Sequence, residues 1–232
     1  IVEPAQLPTS PVLPRPALNF VLGTVLGLLA GYAGALVRSA LDTSVKSAEE
    51  LGRITGSPNL GEIAFDADVP KHPLTVHEHP HSPRAEAFRQ LRTNFQFIDV
   101  DRPRKVVVVT SSVPKEGKST TLCNLAIALA NAGSRVVLVE GDLRLPRVAD
   151  YLGLEGGVGV TNVLAGQVPL DQALQPWGDD IFHVLPSGPL PPNPSELLAS
   201  QQMANLLTEL GSRYDVVLVD APPLLPVTDA AA

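Results

Sequence analysis

Cysteine is almost absent: Cys123 is the only one in 232 residues, which excludes an internal disulfide. It falls at an apolar position and is expected to pack in a core rather than to do redox work. A basic excess is absent too. With 17 Lys and Arg against 24 Asp and Glu, the formal charge of −7 lacks the footprint of a nucleic-acid binder, and no nucleic-acid partner is expected. Tyrosine is scarce, occurring at Tyr32, Tyr151 and Tyr214 only. The chain begins at Ile1 and runs only a short way past an apolar stretch at 216–219, so it is expected to be a piece of a longer protein, with a further strand and helix beyond Pro223. What is present is apolar material, 44% of the residues, enough for a sizeable core.

Residues 105–121 read KVVVVTSSVPKEGKSTT. The valines at 106–109 suit a strand buried on both faces of a parallel sheet, and the polar loop after them ends in Gly117-Lys118-Ser119 before helical sequence. A loop of this kind cradles phosphates. Backbone N–H groups wrap the β-phosphate, Lys118 reaches the β/γ oxygens, and the Ser119 hydroxyl ligates Mg²⁺. The positive end of the helix that follows reinforces this. The first glycine of the general pattern, five positions before Gly117, is here Ser112.

Two further apolar runs end in acids. The run at 136–139 leads into Glu140-Gly141-Asp142-Leu143-Arg144, and the run at 216–219 into Asp220-Ala221-Pro222-Pro223. Three strands thus carry a lysine, a carboxylate pair and another carboxylate to their C-terminal ends, where open α/β sheets bind ligands. The expected fold is α/β and P-loop NTPase-like, a mostly parallel sheet with flanking helices, and the expected ligand is a Mg²⁺-nucleotide.

Residues 18–37 contain no charge over twenty positions, long enough as a helix to cross about 30 Å of hydrocarbon, and are expected to form one transmembrane helix. Arg15 precedes this segment, whereas Arg38, Lys46 and Arg53 follow it, which puts the C-terminal side in the cytoplasm by the positive-inside rule. Gly23, Gly27 and Gly31 line one face at GxxxG spacing, suited to close approach of another membrane helix. Pro4, Pro8, Pro11, Pro14 and Pro16 deny a helix before it and imply an extended approach from outside the membrane.

After the span, residues 39–82 read as a connector with a short helical stretch near Ala48–Ile54. His72, His77, His79 and His81 stand among prolines without the helical or Cys-paired spacing of a metal site, and a solvated linker is expected. From Pro83 a helix is expected, with Phe88, Leu91 and Phe95 on its apolar face. Glu86, Arg89 and Arg92 make a separate stripe that can pair with another copy or stay solvated.

These residues together resemble the bacterial tyrosine kinases attached to a Wzz-type chain-length-determinant module of polysaccharide export systems. Residues 112–119 are similar to that family's Walker A loop, 137–144 to its Walker A′ motif and 217–223 to its Walker B motif. Glu86-x-x-Arg89-x-x-Arg92 resembles its oligomerisation motif, and residues 191–198 resemble a recurrent family segment in which Asn193 caps a helix begun by Pro194. The resemblance divides the chain into the end of the chain-length module (1–16), a transmembrane helix (17–38), a cytoplasmic linker (39–82) and a kinase domain (83–232).

The resemblance implies ATP-dependent phosphorylation of tyrosines, mainly in trans within a homo-oligomeric ring at the bacterial inner membrane, in service of capsular or exopolysaccharide polymerisation and export. ATP would lie on Ser112, Val113, Pro114, Lys115, Glu116, Gly117, Lys118, Ser119, Thr120 and Arg144. Mg²⁺ would be held by Ser119, Asp142 and Asp220. Lys118, Glu140, Asp142 and Asp220 would carry catalysis, with Glu140 as the tyrosine-proton acceptor in a position where the family usually has aspartate. Lys115 stands where relatives commonly have glycine, and would cost about 1 kcal/mol or more if its backbone were left-handed. The three tyrosines form no acceptor cluster; a tyrosine-rich segment after Ala232 would supply one. Two alternatives remain: a kinase-inactive regulator that uses ATP binding to set assembly, and a MinD/ParA-like ATPase, for which a switch lysine near Val113 and the absence of a span would be expected.

Overall fold

The computed structural model describes residues 15–42, 44–45, 47–98 and 105–225. The chain forms two compact units, Ile1–Asn59 and Leu60–Ala232.

The first unit is built on α1 (Pro16–Leu41), begun by a proline at its first position and exposed along its whole length. With a mean hydropathy of 2.0 it is one helix long and apolar enough to cross a membrane, and it contains the expected span. The short α2 (Ala48–Thr55) is capped by the Ser47 hydroxyl, which accepts from the Glu50 N–H, and ends on Gly56 in the left-handed region. Pro4, Pro8, Pro11, Pro14 and Lys46, used above for topology, lie outside the described residues.

The second unit begins earlier than the expected domain start at residue 83. Its first helix, α3 (Thr75–Glu78), lies inside the stretch 39–82 expected to be a connector, and Leu74, Thr75 and Val76 are buried. The reason is Asn124. Its side chain accepts from the Val76 N–H at 2.8 Å and donates to the Pro73 carbonyl at 2.7 Å, which seats this turn on a helix of the core. Next comes α4 (Pro83–Gln96), capped by the Ser82 hydroxyl and burying Ala85, Phe88 and Phe95.

The sheet follows. Strand β1 (Lys105–Val109) leads through the Gly-Lys-Ser loop into α5 (Lys118–Ala130), and β2 (Val136–Glu140) into α6 (Val148–Leu152). Helices α7 (Val160–Leu164) and α8 (Leu170–Ala173) precede β3 (Gln175–Trp177) and β4 (Phe182–Leu185). Helices α9 (Pro194–Leu198) and α10 (Gln201–Arg213) then lead to β5 (Val216–Asp220). The strand order is β1-β5-β2-β4-β3, parallel except for β3 against β4. This is the mostly parallel α/β sheet expected from the apolar runs.

Successive residues of β2 point to opposite faces. Val136 and Leu138 join a cluster with Phe88, Leu122, Ile127 and Leu218 beneath α4 and α5, while Val137 and Val139 join Leu185, Met203, Leu206 and Leu210 beneath α10. Cys123 is fully buried among the first set. Strand β1 departs from its expected burial on both faces: Val106 and Val108 are 45% and 48% exposed, because β1 is the edge of the described sheet. Asn193 does not cap α9 through a backbone bond either; its amide donates to the Glu196 carboxylate at 2.6 Å, a side-chain pairing the short helix leaves room for.

Candidate functional site

Register fixes the floor of the site. Asp220 pairs with Val109 on one side and Glu140 on the other, so the ends of β1, β5 and β2 are level. The chain leaving β5 then runs beside the loop after β1, with the Leu224 N–H donating to the Ser111 carbonyl at 2.9 Å and the Thr110 hydroxyl to the Pro222 carbonyl at 2.7 Å. Between β2 and β5 the approach is close: the Gly141 N–H donates to the Asp220 carbonyl at 2.8 Å, and a Cβ on Gly141 would stand 2.9 Å from that same oxygen. Only glycine fits between the two acids of Glu140-Gly141-Asp142.

Lys118, in the first turn of α5, bends back over this floor. Its Nζ lies 2.9 Å from Asp142 Oδ2, 3.2 Å from Asp220 Oδ2 and 3.2 Å from Ser119 Oγ. The Ser119 hydroxyl donates to Asp220 Oδ2 at 2.5 Å. Burial works against the Lys118 charge, but Asp220 and Asp142 outweigh it and raise its pKa. Asp220 is itself raised by desolvation, with Lys118 and Ser119 pulling the other way. Its second oxygen, Oδ1, is buried without a hydrogen-bond partner. A serine hydroxyl and two carboxylates, one of them with an unpartnered buried oxygen, form a hard-oxygen set, which suits Mg²⁺ better than a softer ion.

The loop itself is tight. Glu116 folds across it, and one carboxylate oxygen accepts from the Ser112 N–H at 2.8 Å and the Val113 N–H at 3.2 Å. Those two donors, expected to face phosphate, are engaged by the chain's own acid. Lys115 has φ 69°, the left-handed conformation in which a side chain costs about 1–2 kcal/mol, and Gly117 has φ 87°. Glycine would adopt this conformation at position 115 without that cost. Gly117 also caps α5, and the Thr120 hydroxyl donates to its carbonyl at 2.8 Å.

Above the floor lies a cleft of about 280 Å³ lined by Pro114, Lys115, Gly117, Lys118, Ser119, Thr120, Asp142, Leu145, Arg147, Tyr151 and Pro223. Of the residues singled out from sequence, Ser112, Val113 and Glu116 close the loop rather than line this cleft. Arg144 does not line it either, and its guanidinium donates to Ser195 Oγ at 3.2 Å; Arg147, three residues on, lies in the cleft wall instead. Leu145, Arg147 and Tyr151 carried no motif that sequence could flag, since they reach the cleft through the turn into α6.

Glu140 differs most from its expected place. It is fully buried and absent from the cleft wall, and one oxygen accepts from the Arg147 N–H at 3.0 Å and the Val148 N–H at 2.6 Å. The longer side chain reaches past the cleft to hold the start of α6. Its other oxygen has no hydrogen-bond partner. Desolvation first, and the Asp220 charge second, push its carboxyl up to about 8, against the pull of the Val148 N–H, Lys118 and the Arg147 N–H. In this arrangement Glu140 stands behind the cleft wall, with one oxygen engaged by the two amides.

The Glu86, Arg89 and Arg92 stripe on α4 is partly engaged within the chain: Arg89 pairs with Glu86 and also donates to the Pro80 carbonyl. Arg92 Nε is buried without a partner.

The AAA domain family matches residues 104–232, more than half of the chain. The chain is similar to tyrosine-protein kinase YwqD of Bacillus subtilis, with 46% identity over 151 residues covering 65% of this chain and 64% of that protein. It is also similar to tyrosine-protein kinase etk of Escherichia coli, with 30% identity over 250 residues covering 100% of this chain and 34% of that one. The chain therefore spans less than two thirds of either curated relative. The solved kinase domain of Escherichia coli tyrosine kinase ETK aligns with a TM-score of 0.75 at 30% identity, over 81% of this chain and 77% of that domain.

The environment of Glu140 has a measurable consequence. Between the ordinary 4.5 and about 8 the folded chain holds a proton that the unfolded chain has released, so this stability is full below the lower value and lost as pH rises through the upper one. In EDTA and without nucleotide, urea midpoints should fall more steeply between about pH 5 and about pH 8 for the wild type than for Glu140→Gln, which has no such proton. Parallel falls would refute the assignment.

Proposed function

The chain belongs to the bacterial tyrosine-protein kinase family, and on that premise we propose that it is an ATP-dependent protein-tyrosine kinase that phosphorylates copies of itself and regulates capsular or exopolysaccharide polymerisation and export. The observation that carries this reading is the Lys118 ammonium held between Asp142 and Asp220 at the mouth of a phosphate-type loop. Residues 17–38 would span the inner membrane, and the distribution of Arg15, Arg38, Lys46 and Arg53 favours a cytoplasmic catalytic unit. Residues 39–59 would then connect the span to a unit that begins at Leu60.

ATP is the phosphoryl donor. Lys118 would leave its carboxylates for the β/γ-phosphates, joined by the N–H groups at the start of α5. Ser119, Asp142 and Asp220 would hold Mg²⁺, which would supply charge neutralisation on the phosphates. The acceptor phenol oxygen bonds to the γ-phosphorus as the bond to the ADP oxygen breaks, and the phenol proton leaves late in such a loose transition state. Of the three carboxylates Asp142 alone lines the cleft, so we assign the proton to it. Glu140 would position Arg147 through the backbone. Tyr214 is buried and Tyr32 lies on the apolar helix, whereas Tyr151 lines the cleft itself.

A second reading draws on the burial of Glu140: a regulator that binds ATP to set assembly without transfer. Phosphotyrosine on the full-length protein decides between the two. Wild type should label with MgATP and Lys118→Met should fall to background; ATP binding without labelling would favour the regulator, and undiminished labelling of the variant would end the kinase mechanism.

For assembly, we assign the Glu86, Arg89 and Arg92 stripe to a contact with another copy, supported by the exposed side chains of Glu86 and Arg89. Replacing all three by Ala should shift the protein in detergent toward monomers by light scattering, with its melting temperature held as the control for folding. An unchanged mass would return the stripe to a solvated face.

A further inference from the structure

The histidines of residues 72–81 are not an unstructured tract. His72 follows a turn in which its N–H donates to the Asp68 carbonyl at 3.1 Å, and His79 closes α3, donating to the Thr75 carbonyl at 2.9 Å. These two backbone anchors bring both imidazoles to one side of Glu78. His72 Nδ1 lies 2.7 Å from Glu78 Oε2, and the His72 and His79 rings stand edge to face with centroids 5.3 Å apart. One ligand atom from each of His72, Glu78 and His79 lies within 4.8 Å of the other two. His77 faces away, edge-on to Trp177 at 5.1 Å.

From this convergence we propose that His72, Glu78 and His79 bind a divalent transition-metal ion of the Zn²⁺ type. Two imidazoles and a carboxylate are the donor set such ions take, and ligand atoms around a tetrahedral ion stand about 3.4 Å apart. The three ligand atoms, carried on exposed side chains within 4.8 Å of one another, would close to that spacing around the ion. The ion would take the place of the direct contact between His72 Nδ1 and Glu78 Oε2.

The surroundings favour a cation. Both imidazoles border a cleft of about 550 Å³ whose wall also carries Glu62, Asp66 and Asp68. Arg84 lies there too, but its guanidinium is drawn to the Ala64 carbonyl, and Lys71 pairs with Asp68 at 3.0 Å. The seat is firm as well, because the turn before α3 is clamped by Asn124 of α5. An ion here would fix residues 72–79 against the helix that starts at the phosphate loop, and its binding does not depend on the kinase reading.

The test uses the full chain in detergent, purified with a tag free of histidine, stripped with EDTA, saturated with Mg·ADP to fill the nucleotide cleft, and then given Zn²⁺. After gel filtration, elemental analysis should find about one zinc per chain for the wild type and for His81→Ala. His72→Ala with His79→Ala should lose it, and Glu78→Gln should weaken Zn²⁺ by about tenfold or more in competition with a chromophoric chelator. A matching rise in melting temperature with Zn²⁺ should vanish in the double variant. No zinc on the wild type, or equal zinc on a folded double variant, would overturn the site.

Discussion

One ammonium group holds the catalytic end of this molecule together. Lys118 stands between Asp142 and Asp220, each nearly or fully buried, and neither carboxylate has another cation within ion-pair distance among the described residues. Two acids at the ends of adjacent strands would repel each other and resist desolvation, and removing the lysine would leave a buried charge uncompensated, an effect of about 3–5 kcal/mol. The neighbourhood already shows the strain of crowded acids, since Asp220 is raised by desolvation and Glu140 is pushed up to about 8. Lys118 is therefore a structural counter-ion as well as the group proposed to meet phosphate.

The rest of the site follows from bringing that lysine to those acids. Parallel pairing of β5 with both β1 and β2 sets Asp220 level with the loop and with Glu140. Gly141 lets β2 and β5 approach, Gly117 turns the chain into α5, and Lys115 accepts a left-handed backbone that glycine would take more easily. Behind the loop, Asn124 ties α5 to the turn before α3, so the phosphate loop, the core helix and the histidine-bearing segment form one connected run of contacts.

Much of this was legible in the sequence because the signals are local and periodic. The valine runs, the Gly-Lys-Ser loop, the acids after each strand and the uncharged helix all reported on their own neighbourhood. The parts that were not legible depend on tertiary placement. The burial of Glu140 needs the Arg147 and Val148 amides, which a β-strand pattern cannot predict, and the exposure of Val106 and Val108 needs the strand order. The Arg144 and Arg147 exchange is set by the turn after Asp142, where both are equally plausible by composition. The segment 60–82 reads as a linker because proline and histidine recur in it, yet Asn124 of α5 seats its turn at Pro73 and Val76.

If Lys118 is the counter-ion of the two aspartates, a nucleotide can draw it away only when a second cation takes its place on them. ATP affinity measured by calorimetry with Mg²⁺ and again in EDTA tests this directly. Binding should be about tenfold or more tighter with Mg²⁺, a difference of about 1.4 kcal/mol or greater. Equal affinity in the two conditions would contradict it.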